Sequence, residues 1–342
     1  MVTDKNRKRI SIILIAYMRK NFILDAIQSI KDQNDFDSNE FEVIVVKNFA
    51  DLDLDNEIIK MDCLLITSNN KGLGAKMVEG ILKSTGDIIC FLEDDDLFLP
   101  QKLMYVNKIF RENPDVVYVH NMYHAVDYYN RNISFFRLSN RGLCNKSDHI
   151  VSILNSTSSL NKSFNNDISH NLSSISVRRE ILTSYMELLK NIQSSPDLAI
   201  FVLALISNKT LFGSHKVLSL QRVSGSNYSI AFNIHTRLEV LRNWLKDLRL
   251  LKRTFCDKKT KNSLCSLFDI IEVQDEALES IYLRTISKHE IMILIAKLTK
   301  IKGKNIHTLQ IILILIGMFL NKRLTTALEN FRLSINAFLL HR

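Results

Sequence analysis

Four consecutive acidic residues, Glu93-Asp94-Asp95-Asp96, have the residue types and spacing that most directly indicate chemistry. Adjacent carboxylates repel one another, so a chain tolerates them when they are solvated or when a cation neutralises them. Because all the donor atoms are oxygens, the favoured cation is a hard ion such as Mg²⁺ or Mn²⁺. If strand geometry continues through the quartet, Glu93 and Asp95 point to one side and Asp94 and Asp96 to the other. An acidic loop with a helix-capping role near Pro100 is the alternative.

The elements that position the quartet follow from apolar periodicity. Five continuous apolar runs predict buried parallel strands at Ile10–Ala16, Phe41–Val46, Cys63–Thr67, Asp87–Leu92 and Val116–His120. Helical spacing occurs between them at Phe22–Lys31, Leu73–Ser84 and Gln101–Phe110. This α/β alternation predicts a mostly parallel sheet flanked by helices, which binds ligands at the carboxyl ends of its strands. The quartet directly follows the fourth run, and that position favours the metal interpretation.

Several further segments agree, in order, with one known pattern. It comprises an opening strand and helix, an Asn-x-Gly, a Gly-(x)5-Gly-Asp and an Asp-x-Asp-Asp-(x)3-Pro, in which Glu93 replaces the first Asp. A Glu-Asp helix start and a strand then follow. The matching residues are Ile10–Tyr17, Phe22–Ile30, Asn70–Gly72, Gly80–Asp87, Leu92–Pro100, Pro196–Phe201 and Lys216–Arg222. Over roughly residues 10–230 the chain therefore resembles the family 2 glycosyltransferases, which have a GT-A fold.

The resemblance implies particular site residues. It assigns nucleotide-sugar binding to Ala16, Tyr17, Arg19, Asn48, Lys71, Lys76, Asp94 and Asp95. For a Mn²⁺ or Mg²⁺ ion it implies Asp95 as the best ligand, joined by Glu93 and Asp96. In inverting members the Asp of the late helix start is the catalytic base, which is Asp197 here. The alternative for this residue is an N-terminal helix cap after Pro196.

The chain also departs from the family pattern at specific places. Lys47 stands where many members have a carboxylate that recognises the base, and it cannot accept a hydrogen bond from uracil, whereas Asn48 can. The family pattern thus implies a UDP-sugar as the donor, and these residues leave the identity of the nucleotide base open. Ser224 replaces the late His of Tyr-Arg-x-His, and Gly72 with Gly74 is a weak phosphate-loop motif. A phosphate-binding cation then comes from Lys76, Lys71 or Arg19.

The positive charge lies in the C-terminal region. The net charge is +9, and the residues from Thr236 onward include 19 basic and 10 acidic side chains. We predict a catalytic domain at 1–230 and a basic all-helical domain at 231–342, with helical spacing at Arg237–Lys252 and Asp269–Lys300. The apolar run Ile306–Leu320 is short for a bilayer span, which takes about 20 residues. Together with Thr325–Leu340 it indicates contact with a membrane surface, or a buried core helix or dimer interface.

Other features bear on compartment and local structure. The five cysteines are Cys63, Cys90, Cys144, Cys256 and Cys265. They form no CxxC pair, which predicts free thiols in a reducing compartment. The Ser- and Asn-rich stretch Ser139–Ser174 predicts a long surface loop, either disordered or used for acceptor binding or as a lid. For His120 and His124 we expect a structural or surface role rather than metal binding.

The sequence thus predicts a metal-dependent inverting glycosyltransferase at the cytoplasmic face of a membrane. It would transfer a sugar from a nucleotide-diphospho-sugar to a hydroxyl of a glycan or lipid-linked acceptor. The main alternative is a catalytically inactive GT-A-like scaffold that binds nucleotide or membrane. A nucleotidyltransferase should have a Gly-rich loop after its first strand, and Ala16–Arg19 lacks it. Nucleic acid is not expected as a partner, because aromatic residues are sparse near the basic runs.

Overall fold

The structure of the chain is a computed structural model. It describes residues 9–17, 19–34, 37–131, 149–152, 168–223, 234–256, 263–283, 287–299, 311–312 and 315–316. Among these, the residues up to Val223 form one unit and those from Ile234 onward form a second. Within the described ranges, the strands all belong to the first unit, and the second unit is helical.

The first unit is built on one mixed sheet. Its described strands are β1 (Ile10–Ala16), β2 (Phe41–Lys47), β3 (Leu64–Thr67), β4 (Ile88–Glu93), β5 (Leu97–Phe98), β6 (Val116–Val126), β7 (His149–Ser152), β8 (Ile175–Arg178) and β9 (Thr210–Arg222). The strand order is β3-β2-β1-β4-β8-β6-β9-β5, and β7 pairs with β9. The first four strands are parallel to one another, whereas β8 is antiparallel to β4 and β6. The predicted α/β sheet is confirmed, and the strand expected at 116–120 is part of the longer β6.

Helices connect these strands and complete the core. They are α1 (Ile23–Lys31), α2 (Leu52–Lys60), α3 (Leu73–Lys83), α4 (Lys102–Glu112), α5 (Arg179–Thr183), α6 (Met186–Lys190) and α7 (Pro196–Ile206). In α1 the buried residues Ile23, Ala26, Ile27 and Ile30 recur at the spacing of one helix face. They join residues of β1, β2 and β4 in one hydrophobic cluster. Helix α7 is buried along most of its length, and its first turn carries Asp197.

Two glycines let α3 pack closely on its neighbours. A Cβ on Gly74 would lie 2.0 Å from the carbonyl oxygen of Leu189 in α6, and one on Gly80 would lie 2.6 Å from Ile13 Cγ2 in β1. Non-bonded atoms do not approach so closely, so a side chain at Gly74 requires a shift of the backbone and one at Gly80 requires the side chain of Ile13 to move. Gly74 is therefore explained by helix packing rather than by contact with phosphate.

The second unit contains α8 (Ile234–Phe255), α9 (Ser263–Leu283) and α10 (Lys288–Thr299), and the described residues between 311 and 316 are also helical. The helical pattern over Asp269–Lys300 is divided between α9 and α10. Ser287 Oγ accepts the N–H of Glu290 at 3.2 Å, and Glu290 Oε2 accepts the N–H of Ser287 at 2.8 Å. This reciprocal capping box starts a new helix inside the apolar pattern.

Ion pairs join α8 to α9. They occur in opposite order along the two helices, so the helices are antiparallel. Part of the positive charge of the C-terminal region is therefore neutralised within the second unit. The pairs are Arg242–Glu279, Arg249–Glu272, Arg249–Glu276, Lys252–Asp269 and Lys252–Glu272, with N···O distances of 2.6 to 2.8 Å.

The apolar run near the C-terminus is described only in part. Ile311, Ile312 and Leu315 are buried in a hydrophobic cluster with residues of α9 and α10. These three residues fit the buried-core alternative. The rest of Ile306–Leu320 and all of Thr325–Leu340 lie outside the described residues. Among the helices that are described, none combines the length and apolar character needed to cross a bilayer.

Two expectations are corrected by this fold. Cys256 and Cys265 form a disulfide, with Cα atoms 5.6 Å apart, because the antiparallel arrangement brings the end of α8 to the start of α9. The free-thiol prediction is wrong for this pair, whereas Cys63 and Cys90 are free and buried. Cys144 lies outside the described residues.

The surface loop predicted at Ser139–Ser174 is wrong where the structure describes it. His149–Ser152 forms β7, and from residue 168 to residue 174 the chain is buried except for the half-buried His170. Ser and Asn do not prevent burial here because several of them hydrogen-bond to buried groups, as Ser173 does with the N–H of Glu93. The remaining residues of the stretch lie outside the described ranges.

Candidate active site

The acidic quartet lies in a turn at the end of β4. Glu93 is the last residue of the strand, and the N–H of Asp96 donates to the carbonyl oxygen of Glu93 at 3.2 Å. Strand geometry does not continue through the quartet, so the alternation conditional on it does not apply, and Asp94 and Asp95 both contact the guanidinium of Arg19. Since β1 and β4 are parallel neighbours, the residues that follow them meet at the same edge of the sheet.

Arg19 lies across two carboxylates. Its Nη1 is 2.8 Å from Asp95 Oδ2, its Nη2 is 3.3 Å from Asp95 Oδ1, and Nη2 also pairs with Asp94 Oδ1. The backbone N–H of Tyr17 donates to Asp94 Oδ2 at 3.1 Å. The side chains of Asp94 and Asp95 are 1% and 6% exposed, against 32% for Arg19. One partly exposed cation therefore accompanies two buried acids.

A second cation comes from α3. Lys76 is fully buried, and its Nζ donates to the carbonyl oxygen of Ala16 at 3.0 Å. The same Nζ lies 4.6 Å from the centroid of the Tyr17 ring. Burial lowers the pKa of Lys76 to about 8, against the opposing charge of Asp94. The predicted residues Ala16, Tyr17, Arg19 and Lys76 are thus brought together with the acidic turn.

Burial raises the pKa of every carboxyl group in the quartet. The pKa of Asp95 rises to about 6, although the charge of Arg19 opposes the change, and the pKa of Asp96 rises to about 8 with a further contribution from Asp95. The pKa of Asp94 is raised by burial against the opposing charge of Arg19. For Glu93, burial and the charge of Asp96 raise the pKa well above its usual range. A cation added to this turn would favour the ionised carboxylates.

Arg222, at the end of β9, supports the turn from within the protein. Its N–H donates to Asp96 Oδ1 and its Nε donates to the carbonyl oxygen of Asp95, both at 3.0 Å. The residue is fully buried. The sequence prediction did not give it a role, although it occupies the Arg position of the Tyr-Arg-x-His motif. Attention to the whole motif, rather than to its missing His, would have identified it.

Asp197 is the second residue of α7, and Ser195 occupies the capping position. Burial raises the pKa of Asp197, against the opposing charge of His170. Its carboxylate accepts the backbone N–H of Asn171. Its charge also acts on Glu93, so the predicted base lies within electrostatic range of the acidic turn.

The segment Ser169–Ser174, which we call the linking segment, contacts both acidic regions. Ser173 Oγ accepts the N–H of Glu93 at 3.0 Å, while the N–H of Asn171 reaches Asp197. The carbonyl oxygen of His170 is 2.7 Å from His120 Nε2. The sequence prediction missed this arrangement, because nothing in a run of Ser and Asn indicates which hydroxyls are buried.

Lys102 was also missed. It is fully buried, and its Nζ donates to Ser219 Oγ at 3.0 Å and to the carbonyl oxygen of Ser173. Burial lowers its pKa to about 7. Since lysines in a helical pattern are usually exposed, the sequence pattern does not predict that this one holds the linking segment.

The other predicted nucleotide-site residues are not drawn into these contacts. Lys71 is exposed just before α3, and Asn48 is half-buried directly after β2. The Nζ of the buried Lys47 lies 2.7 Å from Asp55 Oδ1 in α2 and bonds to the carbonyl oxygen of Phe49. Its charge is thus paired within the protein.

The donor atoms of the turn fit a hard divalent cation. They are carboxylate oxygens, and Asp96 Oδ2 is buried without a hydrogen-bond partner among the described residues. Across the described part of the chain, no group of three or more His, Cys, Asp or Glu side chains is arranged as a preformed metal site. His120 is buried and His124 is exposed. The residues that could hold the ion are the three carboxylates predicted from the sequence, Asp95, Glu93 and Asp96.

Known proteins with similar sequences are glycosyltransferases by name. An uncharacterized glycosyltransferase of Rickettsia bellii (strain RML369-C) is 32% identical over 124 residues, which are 35% of this chain and 17% of the relative. One from Haemophilus influenzae (strain ATCC 51907 / DSM 11121 / KW20 / Rd) is 27% identical over 117 residues, 33% of this chain and 38% of the relative. The match thus spans well under half of these relatives.

Solved structures share the fold. TarS 1-349 of S. aureus in complex with UDP-GlcNAc superposes with a TM-score of 0.57 at 16% identity, covering 96% of this chain and 89% of TarS 1-349. The mannosyltransferase PcManGT from Pyrobaculum calidifontis, in complex with GDP-Man and Mn²⁺, gives 0.52 at 12% identity and covers 97% and 86%. The fold is of the GT-A type. The model of glycosyl transferase family 2 matches residues 11–182, half of the chain, and the chain belongs to this family.

Proposed function

We propose that the chain transfers a sugar from a nucleotide-diphospho-sugar to a hydroxyl group, with inversion at the anomeric carbon. The observation that carries this proposal is the meeting of Tyr17, Arg19, Asp94 and Asp95 at one edge of the sheet, within electrostatic range of Asp197. Cations and carboxylates at that edge suit a diphosphate with its counter-ion, and a separate carboxylate suits a general base.

Each residue has a defined role in the proposed reaction. Ionised Asp197 accepts the proton of the attacking hydroxyl, while backbone N–H groups of Asn171 and Leu198 hold its carboxylate. Arg19 and Lys76 contact the leaving diphosphate. The hydroxyl oxygen bonds to the anomeric carbon as the bond to the diphosphate breaks, so a single displacement inverts the configuration.

For the donor we propose a UDP-sugar, and for the cofactor Mn²⁺ or Mg²⁺. TarS binds UDP and UDP-GlcNAc, whereas PcManGT binds GDP-Man with Mn²⁺. Nucleotides with uracil and with guanine therefore both need to be tested on this chain. Asp95, with Glu93 and Asp96, would hold the ion, which as a Lewis acid stabilises the charge of the diphosphate. The proposed nucleotide contacts at Asn48 and Lys71 rest on the family pattern.

For the acceptor we propose a glycan or a lipid-linked glycan at the cytoplasmic face of a membrane. The support is the basic excess after Thr236, which attracts anionic headgroups. The cytoplasmic side is the part of this proposal that the Cys256–Cys265 disulfide opposes, since disulfides are rare in that reducing compartment. The catalytic domain at 1–230 and the basic helical domain at 231–342 stay predictions, as does membrane contact.

Calorimetric titration with UDP, GDP and dTDP, each with and without Mn²⁺, tests the donor site. We expect one diphosphate to bind in a metal-dependent manner, and Asp95→Ala to abolish that binding. Asp53→Ala, at an exposed position in α2, is the matched control and should bind normally. Absence of binding for all three diphosphates would refute the proposed function.

A catalytically inactive nucleotide-binding protein is the second candidate. The observation that favours it is the position of Arg19, whose guanidinium already neutralises Asp94 and Asp95. On this reading a nucleotide binds with equal affinity with and without Mn²⁺, and Asp197→Asn leaves its affinity unchanged. Release of diphosphate from a bound nucleotide sugar separates the candidates, because only the enzyme catalyses it.

A further inference from the structure

Asn171 combines three features that are unfavourable for folding. Its φ is 66°, a backbone conformation that residues other than glycine adopt uncommonly, asparagine more often than most. The residue is 7% exposed, and neither Oδ1 nor Nδ2 has a hydrogen-bond partner among the described residues. Buried amide groups nearly always find partners, so this carboxamide calls for an explanation outside the folding of the chain.

The backbone fixes Asn171 between the two acidic regions. Its N–H reaches the carboxylate of Asp197, and its carbonyl oxygen accepts the N–H of Ser174 at 3.0 Å. Two residues further on, Ser173 Oγ holds the N–H of Glu93 at the acidic turn. Asn171 is therefore anchored at both ends of the region where a sugar would be transferred.

We propose that the Asn171 carboxamide hydrogen-bonds a hydroxyl group of the transferred sugar. This inference rests on the proposed function, in which the sugar lies between a diphosphate at the acidic turn and the base Asp197. A carboxamide both donates and accepts, as a hydroxyl does, so one bound sugar satisfies its two unpaired atoms. The residue thus selects for the sugar and contributes nothing to binding of the nucleotide alone.

The test compares a sugar donor with its free diphosphate. Asn171→Gly removes the carboxamide and accepts a positive φ without strain. Calorimetric titrations with Mn²⁺ use UDP against UDP-GlcNAc, and GDP against GDP-mannose. We expect the affinity for the diphosphate to be unchanged and the affinity for the nucleotide sugar to fall about tenfold. Asn208→Gly, an exposed asparagine with φ 56°, is the matched control and should change neither.

Other outcomes would overturn the inference. Equal losses for diphosphate and nucleotide sugar would mean that Asn171 only supports the fold, and unchanged affinities would mean that the amide pairs with water. If wild-type protein binds a diphosphate but Asn171→Gly keeps its affinity for the sugar donor, the inference about Asn171 fails and the proposed function stands. If wild-type protein binds no diphosphate, the proposed function fails with it. Should Asn171→Gly unfold, Asn171→Asp replaces it, because aspartate tolerates positive φ and lacks the N–H₂ donor. This variant must also bind the sugar donor more weakly than wild-type protein.

Discussion

Acidic side chains occur in two contrasting settings, the turn after β4 and the helix α9. In α9, Glu272 and Glu276 lie partly exposed beside Arg249, and Lys252 and Arg249 lower the pKa of Glu272 although burial opposes them. In the turn, burial dominates and raises the pKa of each acid, even with Arg19 in contact with two of them.

The difference lies in burial, because the cations beside the turn, Arg19 and Arg222 among them, do not offset the effect of burial on the pKa of its acids. Paired, half-exposed carboxylates add a little to stability, whereas carboxylates whose burial is not offset by their cations reduce it. A cluster of buried carboxylates that reduces stability is retained for a reason other than folding. Binding of a positively charged ligand is such a reason. The acids of α9 therefore stabilise the fold, whereas we expect the acids of the turn after β4 to bind a ligand.

The largest expected effect comes from the base. Asp197→Asn keeps the size of the side chain but cannot take a proton, so kcat for release of diphosphate from the bound nucleotide sugar should fall about 10² to 10⁴-fold. Affinity for the free diphosphate should stay within a factor of about two, since Asp197 is assigned to the acceptor. The exposed Asp53→Asn serves as control. An unchanged kcat would place Asp197 with the acids that only hold the fold.

The sequence was sufficient for the parts of the molecule that rest on periodicity and on local motifs. The apolar runs marked β1, β2 and β4 and placed the quartet at a carboxyl edge, because burial on both faces leaves a continuous apolar pattern. It was not sufficient for long-range pairing. The role of Arg222, 126 residues from Asp96, depends on how distant elements meet. The disulfide joins cysteines only nine residues apart, but it depends on the antiparallel arrangement of α8 and α9.

Local composition also misled at one place in the site. The linking segment reads as loop because Ser and Asn favour turns, yet it is buried between the acidic turn and Asp197. Burial there depends on partners supplied by other elements, among them Lys102 and His120. Such partners have no local signature, so Asn171 becomes noticeable only in the folded chain.

Asp275 tests whether the distinction depends on burial rather than on the part of the chain that holds the acid. It lies in α9, and it accepts a hydrogen bond from a neutral group, since Trp244 Nε1 donates to Asp275 Oδ2 at 2.7 Å. Burial raises its pKa from 3.8 to about 7, so the folded chain binds a proton that the unfolded chain releases between these values. The free energy of unfolding should therefore fall by about 3 kcal/mol as pH rises from 4 to 7 and level off above.

Fluorescence measures this directly, because Trp244 is the single tryptophan of the chain. Urea unfolding of wild-type protein at pH 5 and pH 8 should give a higher midpoint at pH 5. Asp275→Asn mimics the protonated acid and should reduce the difference, whereas Asp269→Asn, at an exposed position that pairs with Lys252, should retain it. Equal midpoints for wild-type protein at the two pH values would contradict the predicted shift.

The smallest effect is expected where the acids already have their cations. Arg249→Ala removes two ion pairs between α8 and α9, but the arginine side chain is 44% exposed, so water screens both. The free energy of unfolding should fall by about 1 kcal/mol or less, and the loss should shrink in 1 M NaCl. A double-mutant cycle with Glu276→Ala, followed by Trp244 fluorescence, isolates one of the two pairs. A coupling of several kcal/mol that salt does not reduce would mean that this pair is desolvated, and the contrast between the two acidic regions would then not rest on exposure.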